Sequence, residues 1–284
     1  MRGCESKRAQ KNRGPHRRLY ASYPRYSPQL PWLELRTTSE SRQAYKRHSH
    51  PQLSLGAIIA GETRCISNGQ EYLLRPGELI LIPPQSPHSC NPRNGRPRSY
   101  HILYLDADWC LAQLHHLPAD SRLHTAQPQL QDPQLFQLYQ QIITSIIQQQ
   151  TTELPALIIH MLHALPLQST DAKPPRATSR QLFSRLSSNL QEPPTLDTLA
   201  QEFALRKETL IRTFKQDTGL TPASFINMAR IEYARHRLRA GDCIADVAYQ
   251  TGFADQSHFH KTFVSYTAAT PRQYARNRSI SDNK

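Results

Sequence analysis

The stretch Ile244–Phe263, IADVAYQTGFADQSHFHKTF, decides the fold of the C-terminal third because its first half repeats an earlier segment. LDTLAQEFAL at Leu196–Leu205 aligns with IADVAYQTGF at Ile244–Phe253, at an offset of 48 residues. The second copy then contains one additional residue, and the alignment continues by pairing Leu210, Phe214 and Pro222 with Phe259, Phe263 and Pro271. The chain therefore contains a duplicated unit.

Each copy of the unit has the pattern of a helix-turn-helix. A short predicted helix carries Ala200 or Ala248, and a small residue there lets a second helix cross closely. Ala204 or Gly252 follows in the turn, where a small residue suits an unusual backbone conformation. Between the copies, apolar residues lie near helical spacing and the run ends at Gly241, which predicts one long connecting helix.

The H-x-H at His258 and His260 raises the question of a metal site. Two residues apart in a helix, these side chains point about 200° apart, at roughly 100° per residue, so they cannot share one ion. Phe259 and Phe263 mark the buried side, which leaves polar residues facing outward, as contact with base edges and phosphates requires. The residues predicted to contact DNA are Lys207, Glu208, Ile211, Arg212, Gln256, Ser257, His260 and Lys261.

Residues 180–276 resemble the DNA-binding domain of AraC/XylS-type bacterial transcription regulators, and the second copy follows that family's signature through Pro271 and Tyr274. The resemblance implies two rigidly joined helix-turn-helix units that enter successive major-groove segments about 34 Å apart. It implies operator DNA and RNA polymerase as partners, and it favours activation. By motif position, the base-reading candidates are Glu208, Arg212, Ser257 and Lys261, with Gln256 and His260 as neighbours.

The first unit departs from the family pattern at the start of its second helix. Arg206 and Lys207 stand where a serine cap is common. We therefore expect a less well capped helix that depends more on phosphate contacts.

Charge is distributed unevenly along the 284 residues, whose formal net charge is +13. Residues 1–50 carry 12 basic against 3 acidic side chains, residues 51–172 carry 6 against 9, and residues 173–284 carry 17 against 10. Basic ends beside an acidic middle favour a polyanionic partner, with nucleic acid ahead of a membrane surface. Residues 1–29 are rich in Arg, Ser, Pro and Tyr and predict a disordered basic arm.

The cysteine pattern and the hydropathy of the sequence predict the cellular compartment of the protein. The five cysteines form no C-x-x-C, which favours a reducing cytoplasm over a disulfide framework or a zinc ribbon. The longest apolar runs are too short to span a bilayer, so no membrane partner is expected.

A second domain precedes the duplicated units. Short β-like runs from Leu53 to Asp106, with Asn68-Gly69 as a hairpin turn, predict a small barrel or sandwich. HSHPQLSLGAIIAGE and RPGELILIPPQSPHSCNP, around residues 48–92, resemble the cupin-type effector domain of the same family. The resemblance implies a cupin-like barrel at 30–118 that orients a small polar effector, with an amino acid or related metabolite as the expected class. The expected effector-binding residues are His50, Arg64, His88, Tyr100 and Tyr104.

Metal cupins would use His48, His50 and His88 together with an acid shortly after the H-x-H. That acid is missing here, since Gln52 and Ser54 stand nearby and Glu62 is expected beyond the strand. We therefore predict no enzyme activity, no cofactor and no metal site. A metal-dependent cupin enzyme fused to a DNA-binding module and a ligand-independent DNA-binding protein remain as alternatives.

The complete prediction is an α+β protein of two domains, a barrel with a helical extension followed by an all-α double helix-turn-helix. Residues 119–168 are predicted to be helical and to dimerise, because Ile142-Ile143 and Ile146-Ile147 are more apolar than one buried stripe needs. Residues 169–179 are predicted to be a linker, and 277–284 a disordered tail. The expected function is a ligand-responsive, sequence-specific and homodimeric transcription regulator.

Overall fold

A computed structural model describes residues 21–27, 29–118, 121–170, 176–267 and 269–275. These residues form eleven strands, ten α-helices and one short 3-10 helix at Arg93–Gly95. The strands are β1 (Ala21–Ser27), β2 (Leu30–Ser41), β3 (Leu53–Ala60), β4 (Thr63–Ser67), β5 (Gln70–Leu74), β6 (Leu79–Ile82), β7 (His88–Pro92), β8 (Arg98–Leu105), β9 (Arg122–His124), β10 (Gln129–Leu130) and β11 (Gln168–Thr170). The helices are α1 (Ala107–Gln113), α2 (Pro133–Ile147), α3 (Leu154–Ala164), α4 (Ala177–Ser187), α5 (Leu196–Glu202), α6 (Lys207–Thr218), α7 (Pro222–Arg239), α8 (Ile244–Gln250), α9 (Gln256–Thr267) and α10 (Pro271–Ala275).

The N-terminal domain is built from two antiparallel sheets. Six strands pair in the order β1-β2-β8-β3-β6-β10, and three pair in the order β5-β4-β7. The β4–β5 hairpin turns at Asn68 and Gly69, whose φ angles of 50° and 80° match the tight turn predicted from that pair. Ile58, Cys65, Leu74 and other apolar side chains form a core on one side of β3. The two sheets together form the cupin-like barrel that the sequence predicted, and this prediction is confirmed.

Residues 119–168 pack onto this barrel. Tyr139 in α2 is fully buried and donates a hydrogen bond to the carbonyl oxygen of Leu55 in β3, at 3.1 Å. Ile142, Ile143 and Ile146 are also buried in that core, which leaves Ile147 as the exposed member of the two isoleucine pairs. The surplus apolar surface that suggested a dimer interface is therefore mostly used within the chain.

Three predicted boundaries are wrong in the described residues. Residues 21–27 of the expected disordered arm form β1, because their backbone pairs with β2 from Ala21–Ser39 onward; residues 1–20 lie outside the described part. The region 119–168 is not purely helical, since β10 pairs with β6 and β9 pairs with β11. The expected linker 169–179 includes the first turn of α4, where Ser179 Oγ donates to Asp217 Oδ2 at 2.7 Å. The expected tail at 277–284 lies outside the described residues.

The C-terminal domain consists of the two predicted helix-turn-helix units, α5–α6 and α8–α9, and the predicted connecting helix α7. Leu199, Leu210 and Phe214 of the first unit share one core with Val247, Phe259 and Phe263 of the second. Ala204 and Gly252 occupy the two turns with φ angles of 51° and 67°. This left-handed conformation favours glycine, which explains Gly252, whereas Ala204 adopts it in the first copy at a cost in backbone strain. No helix of the described residues is long and apolar enough to cross a bilayer.

Candidate DNA interface and effector cavity

The predicted DNA-contacting side chains lie on the outer faces of α6 and α9. Phe214 and Phe263 are fully buried, so both helices have a fixed orientation on the core. Ile211 is half-buried, and the other seven predicted residues are exposed: Lys207, Glu208, Arg212, Gln256, Ser257, His260 and Lys261. The structure therefore brings each predicted set together on one accessible helix face.

The two recognition helices begin differently. Asp255 caps α9 by accepting a hydrogen bond from the backbone nitrogen of His258 at 2.6 Å. Arg206 at the start of α6 makes no side-chain cap, as predicted. Lys207 in the first turn of α6 instead forms an ion pair with Asp197 of α5, with 2.5 Å between Nζ and Oδ1. A carboxylate at this position neutralises one of the cations expected to meet phosphate.

His258 and His260 are both exposed, on different sides of α9. The His258 ring also packs edge-on against Phe253, with 5.2 Å between the centroids. The prediction that these two histidines cannot share a metal ion agrees with this arrangement.

A cavity lies inside the barrel between the two sheets. Four of the five predicted effector residues line it, namely His50, His88, Tyr100 and Tyr104. The cavity has a volume of about 50 Å³, which is room for roughly four water molecules at about 10–15 Å³ each. A volume of this size suits a compact ligand.

The prediction for Arg64 is wrong. Its side chain points away from the cavity, is more than half exposed, and forms a bidentate ion pair with Glu71 at 2.5 and 2.6 Å. Side chains alternate along a strand, and Arg64 lies between Thr63 and Cys65, which both point inward.

Arg98 is the cavity arginine that sequence reasoning missed. It is 2% exposed, donates to the carbonyl oxygens of Gln43 and Cys90 at 3.2 and 2.8 Å, and stacks near Tyr100. Its Nε has no hydrogen-bond partner among the described residues. Alternation along RSYHILYL would have indicated Arg98, because it shares the inward face of β8 with the predicted Tyr100 and Tyr104.

Three histidines line one end of this cavity. One ring nitrogen of His48, one of His50 and one of His88 lie within 4.8 Å of one another. Burial, reinforced by the neighbouring His88, lowers the pKa of His48 to about 3. Burial likewise lowers the pKa of His88 to about 4 and, together with the other two rings, lowers that of His50 well below its ordinary value. All three imidazoles are therefore neutral near pH 7.

A buried polar network joins the barrel to the DNA-binding domain. Glu34 of β2 accepts hydrogen bonds from Arg235 of α7 at 2.9 Å and from the Tyr274 hydroxyl of α10 at 3.0 Å. Arg239 also pairs with Glu34, and Arg36 Nη1 donates to the carbonyl oxygen of Thr267 in α9 at 2.7 Å. We call these five side chains, Glu34, Arg36, Arg235, Arg239 and Tyr274, the interdomain network.

The hydroxyl of Tyr274 shows how strongly charge is concentrated there. Burial alone would raise its pKa, but Arg235, Arg239 and Arg36 lie close enough to lower it overall. Glu34 is thus the one carboxylate on which these three buried or half-buried cations converge. Because buried charges need partners, the network fixes the two domains relative to each other.

A barrel with an internal cavity, fixed to two helix-turn-helix units with polar outer faces, defines a ligand-binding regulator of DNA. Comparison with known proteins agrees with this class. Residues 31–180 match the AraC-like ligand binding domain, and residues 199–277 match a helix-turn-helix domain. The chain belongs to the AraC family of transcription regulators.

Named relatives and solved structures support the same family and fold. The chain is 28% identical to the HTH-type transcriptional activator RhaS of Escherichia fergusonii, covering 84% of this chain and 90% of RhaS. It is 28% identical to the HTH-type transcriptional regulator YbfI of Bacillus subtilis, over 76% and 82% of the two chains. The crystal structure of ToxT from Vibrio cholerae covers 89% of this chain and 95% of its own, with a TM-score of 0.52 and 12% identity, a likeness of fold.

The chain matches a ligand-binding domain and a helix-turn-helix domain of this regulator family, so it is a ligand-responsive, DNA-binding regulator and not an enzyme. The metal-dependent enzyme and the ligand-independent protein, kept as alternatives from the sequence, are thereby set aside.

Proposed function

We propose that this protein is a transcription activator that binds operator DNA as a homodimer when a small, polar, anionic metabolite occupies the barrel cavity. An amino acid or related compound is the proposed class. The observation that carries the proposal is the position of the cavity: His48, His50 and Tyr104 line both the cavity and the crevice between the barrel and the DNA-binding domain. The named activator RhaS, similar over most of its length, supports activation rather than repression.

Operator recognition is assigned to the outer faces of α6 and α9. Arg212 is suited to bidentate hydrogen bonds with guanine, and Glu208 accepts from cytosine. Ser257 and Lys261 occupy the corresponding positions of the second unit, with Gln256 and His260 beside them. Half-buried Ile211 offers an apolar contact for a thymine methyl group. Lys207 adds a phosphate attraction that is independent of sequence, is weakened by salt and is reduced by the ion pair with Asp197.

The chemistry of the cavity supports the proposed ligand class. Arg98 Nε is a buried donor with no partner among the described residues, and Tyr45, Tyr100 and Tyr104 add hydroxyl groups around the same space. A carboxylate oxygen would satisfy the arginine. One ToxT structure holds an unsaturated fatty acid, but the small volume here favours a compact ligand over an extended acyl chain.

Regulation follows from the contacts between the domains. Ser49 Oγ lies 3.3 Å from Met228 Sδ in α7, and Tyr104 lines both the cavity and the crevice between the domains. An effector that fits the docked and DNA-competent arrangements unequally would shift the population between them. A homodimer, through the surface that 119–168 leaves outside its own core, would place two such chains on an operator, and the activator would then contact RNA polymerase in the bacterial cytoplasm.

The test is fluorescence anisotropy of the full-length protein on its own upstream DNA and on a scrambled duplex of equal length, across a salt series. We expect a preference of about a thousandfold or more for the native fragment. Candidate metabolites are then added, and an effector should change operator affinity without changing binding to the scrambled duplex. Equal and steeply salt-dependent binding to both duplexes would contradict sequence-specific recognition.

A further inference from the structure

The three cavity histidines are held in a way that leaves the same nitrogen of each ring available. The Nδ1 atoms of His48, His50 and His88 lie 2.7, 2.9 and 2.8 Å from the carbonyl oxygens of Lys46, Gln52 and Ser86. A carbonyl oxygen only accepts, so Nδ1 must carry the proton and donate it. Nε2 is then an unprotonated lone-pair donor in all three rings.

Hydrogen bonding from the remote ring nitrogen to a backbone carbonyl is the usual support for a metal-ligating histidine. It fixes the tautomer and the ring orientation before the ion arrives. Three histidines from two segments with the same support are more than a satisfied core needs.

The backbone beneath the cluster is also fixed. His48 and His88 exchange hydrogen bonds, with 3.0 Å from His48 N to His88 O and 2.8 Å in the other direction. Gln85 N donates to the carbonyl oxygen of His50 at 2.8 Å. The two segments are therefore joined at the site itself, so the three rings keep their positions without a ligand.

The spacing suits one ion. At a metal–nitrogen distance of about 2.1 Å, two nitrogens on one ion are at most about 4.2 Å apart. One ring nitrogen from each residue already lies within 4.8 Å of the other two, and small side-chain rotations close the difference. Three neutral imidazoles select a transition metal such as zinc, cobalt, nickel or iron over magnesium or calcium.

We propose that His48, His50 and His88 bind one divalent transition-metal ion, and that an anionic donor group of the effector occupies the coordination positions facing the cavity. The second half of this statement rests on the proposed effector cavity; the first half does not.

The charge balance explains why the completing ligand is an anion. The three histidines bring no charge, and the only carboxylate expected from sequence reasoning, Glu62, lies elsewhere, paired with Arg93 at 2.8 Å. Arg36 and Arg235 lie on the other side of His48 and His50, along the crevice between the domains. Glu34 and Glu232 already pair with these arginines, so the charge of a divalent ion would be balanced by an anion that enters from the cavity.

The site also lies at the contact between the domains. Ser49, between two of the ligands, contacts Met228 of α7, and the His48 ring lies 6.2 Å from the ring of Tyr266 in α9. Tightening of the three histidines around an ion would therefore move residues that touch the connecting helix and the second recognition helix. Metal loading and effector binding would thus act on the same contact.

The experiment uses the full-length chain without an affinity tag, freed of metal and titrated with Zn²⁺ by calorimetry and with Co²⁺ by visible absorption. We expect one equivalent of metal per chain with sub-micromolar affinity, and Co²⁺ absorption bands of a nitrogen-ligated site. His50→Gln and His88→Gln should each weaken affinity at least tenfold. The matched control is His163→Gln, an exposed histidine of α3 outside the cluster. Azide added to the Co²⁺ form should shift the absorption bands, because positions facing the cavity are open.

Two results would overturn the metal site: no stoichiometric metal in the wild-type chain, or equal affinity in H50Q, H88Q and H163Q. Folding of each variant is checked by its thermal melt and by operator binding in a chelator. If azide left the Co²⁺ absorption bands of the wild-type protein unchanged, the proposal that coordination positions facing the cavity are open would be overturned. Operator recognition measured in the chelator tests the proposed function separately, so either proposal can fail without the other.

Discussion

Glu34 of the barrel and Arg235 of the connecting helix form a buried ion pair across the domain boundary, with 2.9 Å between Oε2 and Nη2. Both side chains are less than 10% exposed. Arg36, Arg239 and Tyr274 complete the arrangement around the same carboxylate. Glu34 is therefore the side chain at which three arginines and one tyrosine meet at the domain boundary.

Glu34→Gln should destabilise the protein by about 3 kcal/mol, because it leaves buried arginines without their counter-charge while keeping the side-chain volume. Urea unfolding of the full chain measures this. Glu71→Gln breaks the exposed pair with Arg64 and is the matched control, expected to stay near wild type. Equal loss of stability in both variants would mean that the interdomain network contributes nothing particular.

Arg212→Ala and Lys261→Ala should each weaken operator binding by about 1–3 kcal/mol, or roughly five- to 150-fold, while the thermal melt stays nearly unchanged. Both side chains are exposed, so their loss removes DNA contacts and not core packing. Arg96→Ala, which removes an exposed charge from the barrel, is the control in the same anisotropy assay. Unaltered operator affinity in both helix variants would argue against these faces as the readers.

Asp197→Asn should increase affinity for any duplex and steepen its salt dependence by about one unit of slope, because it releases Lys207 to contact phosphate. Lys207→Ala should act in the opposite direction. Anisotropy on the scrambled duplex at several salt concentrations separates the two. If Asp197→Asn changed binding to the operator alone, the lysine would be acting on bases.

Gly252→Ala should destabilise the second helix-turn-helix far more than Gly241→Ala destabilises the end of α7. Both glycines have positive φ, at 67° and 91°, so both substitutions introduce backbone strain of about 1–3 kcal/mol. Only at Gly252 would a new Cβ also lie 2.2 Å from the carbonyl oxygen of Gln191. Thermal melts give the comparison, and similar losses in the two variants would show that the close approach is relieved at little cost.

The helical half of the fold was predictable because its information is local. Apolar spacing in the repeat predicted α5, α6, α8 and α9, and Pro222 with Gly241 bounded the connecting helix. The barrel was predictable from short β-like runs and the Asn68-Gly69 turn, but its first strand was not. Residues 21–27 lack an apolar pattern, and their structure comes from backbone pairing with β2.

The candidate site was predictable only in part. Side chains alternate between the two faces of a strand, and this alternation places Arg64 of β4 outside the barrel and Arg98 of β8 inside it. Applied to the sequence, it would have predicted Arg98 as the cavity arginine instead of Arg64. Nothing in the local pattern indicates that the Nδ1 atoms of three histidines all meet backbone carbonyls. In the sequence, the spacing of those histidines suggested a metal site, but the missing acid argued against one. The orientation of the rings in the structure is the observation that supports metal binding.

The sequence by itself determined the two helix-turn-helix units and the polar outer faces of their second helices. A period of 3.6 residues and a small residue at each turn are properties of neighbouring positions. Only the tertiary structure decided which charges meet at the domain boundary. Glu34 lies 201 residues from Arg235 and 240 from Tyr274, and such contacts leave no periodic trace in either segment. They form because charged side chains that are removed from water are stable only when they are paired and hydrogen-bonded.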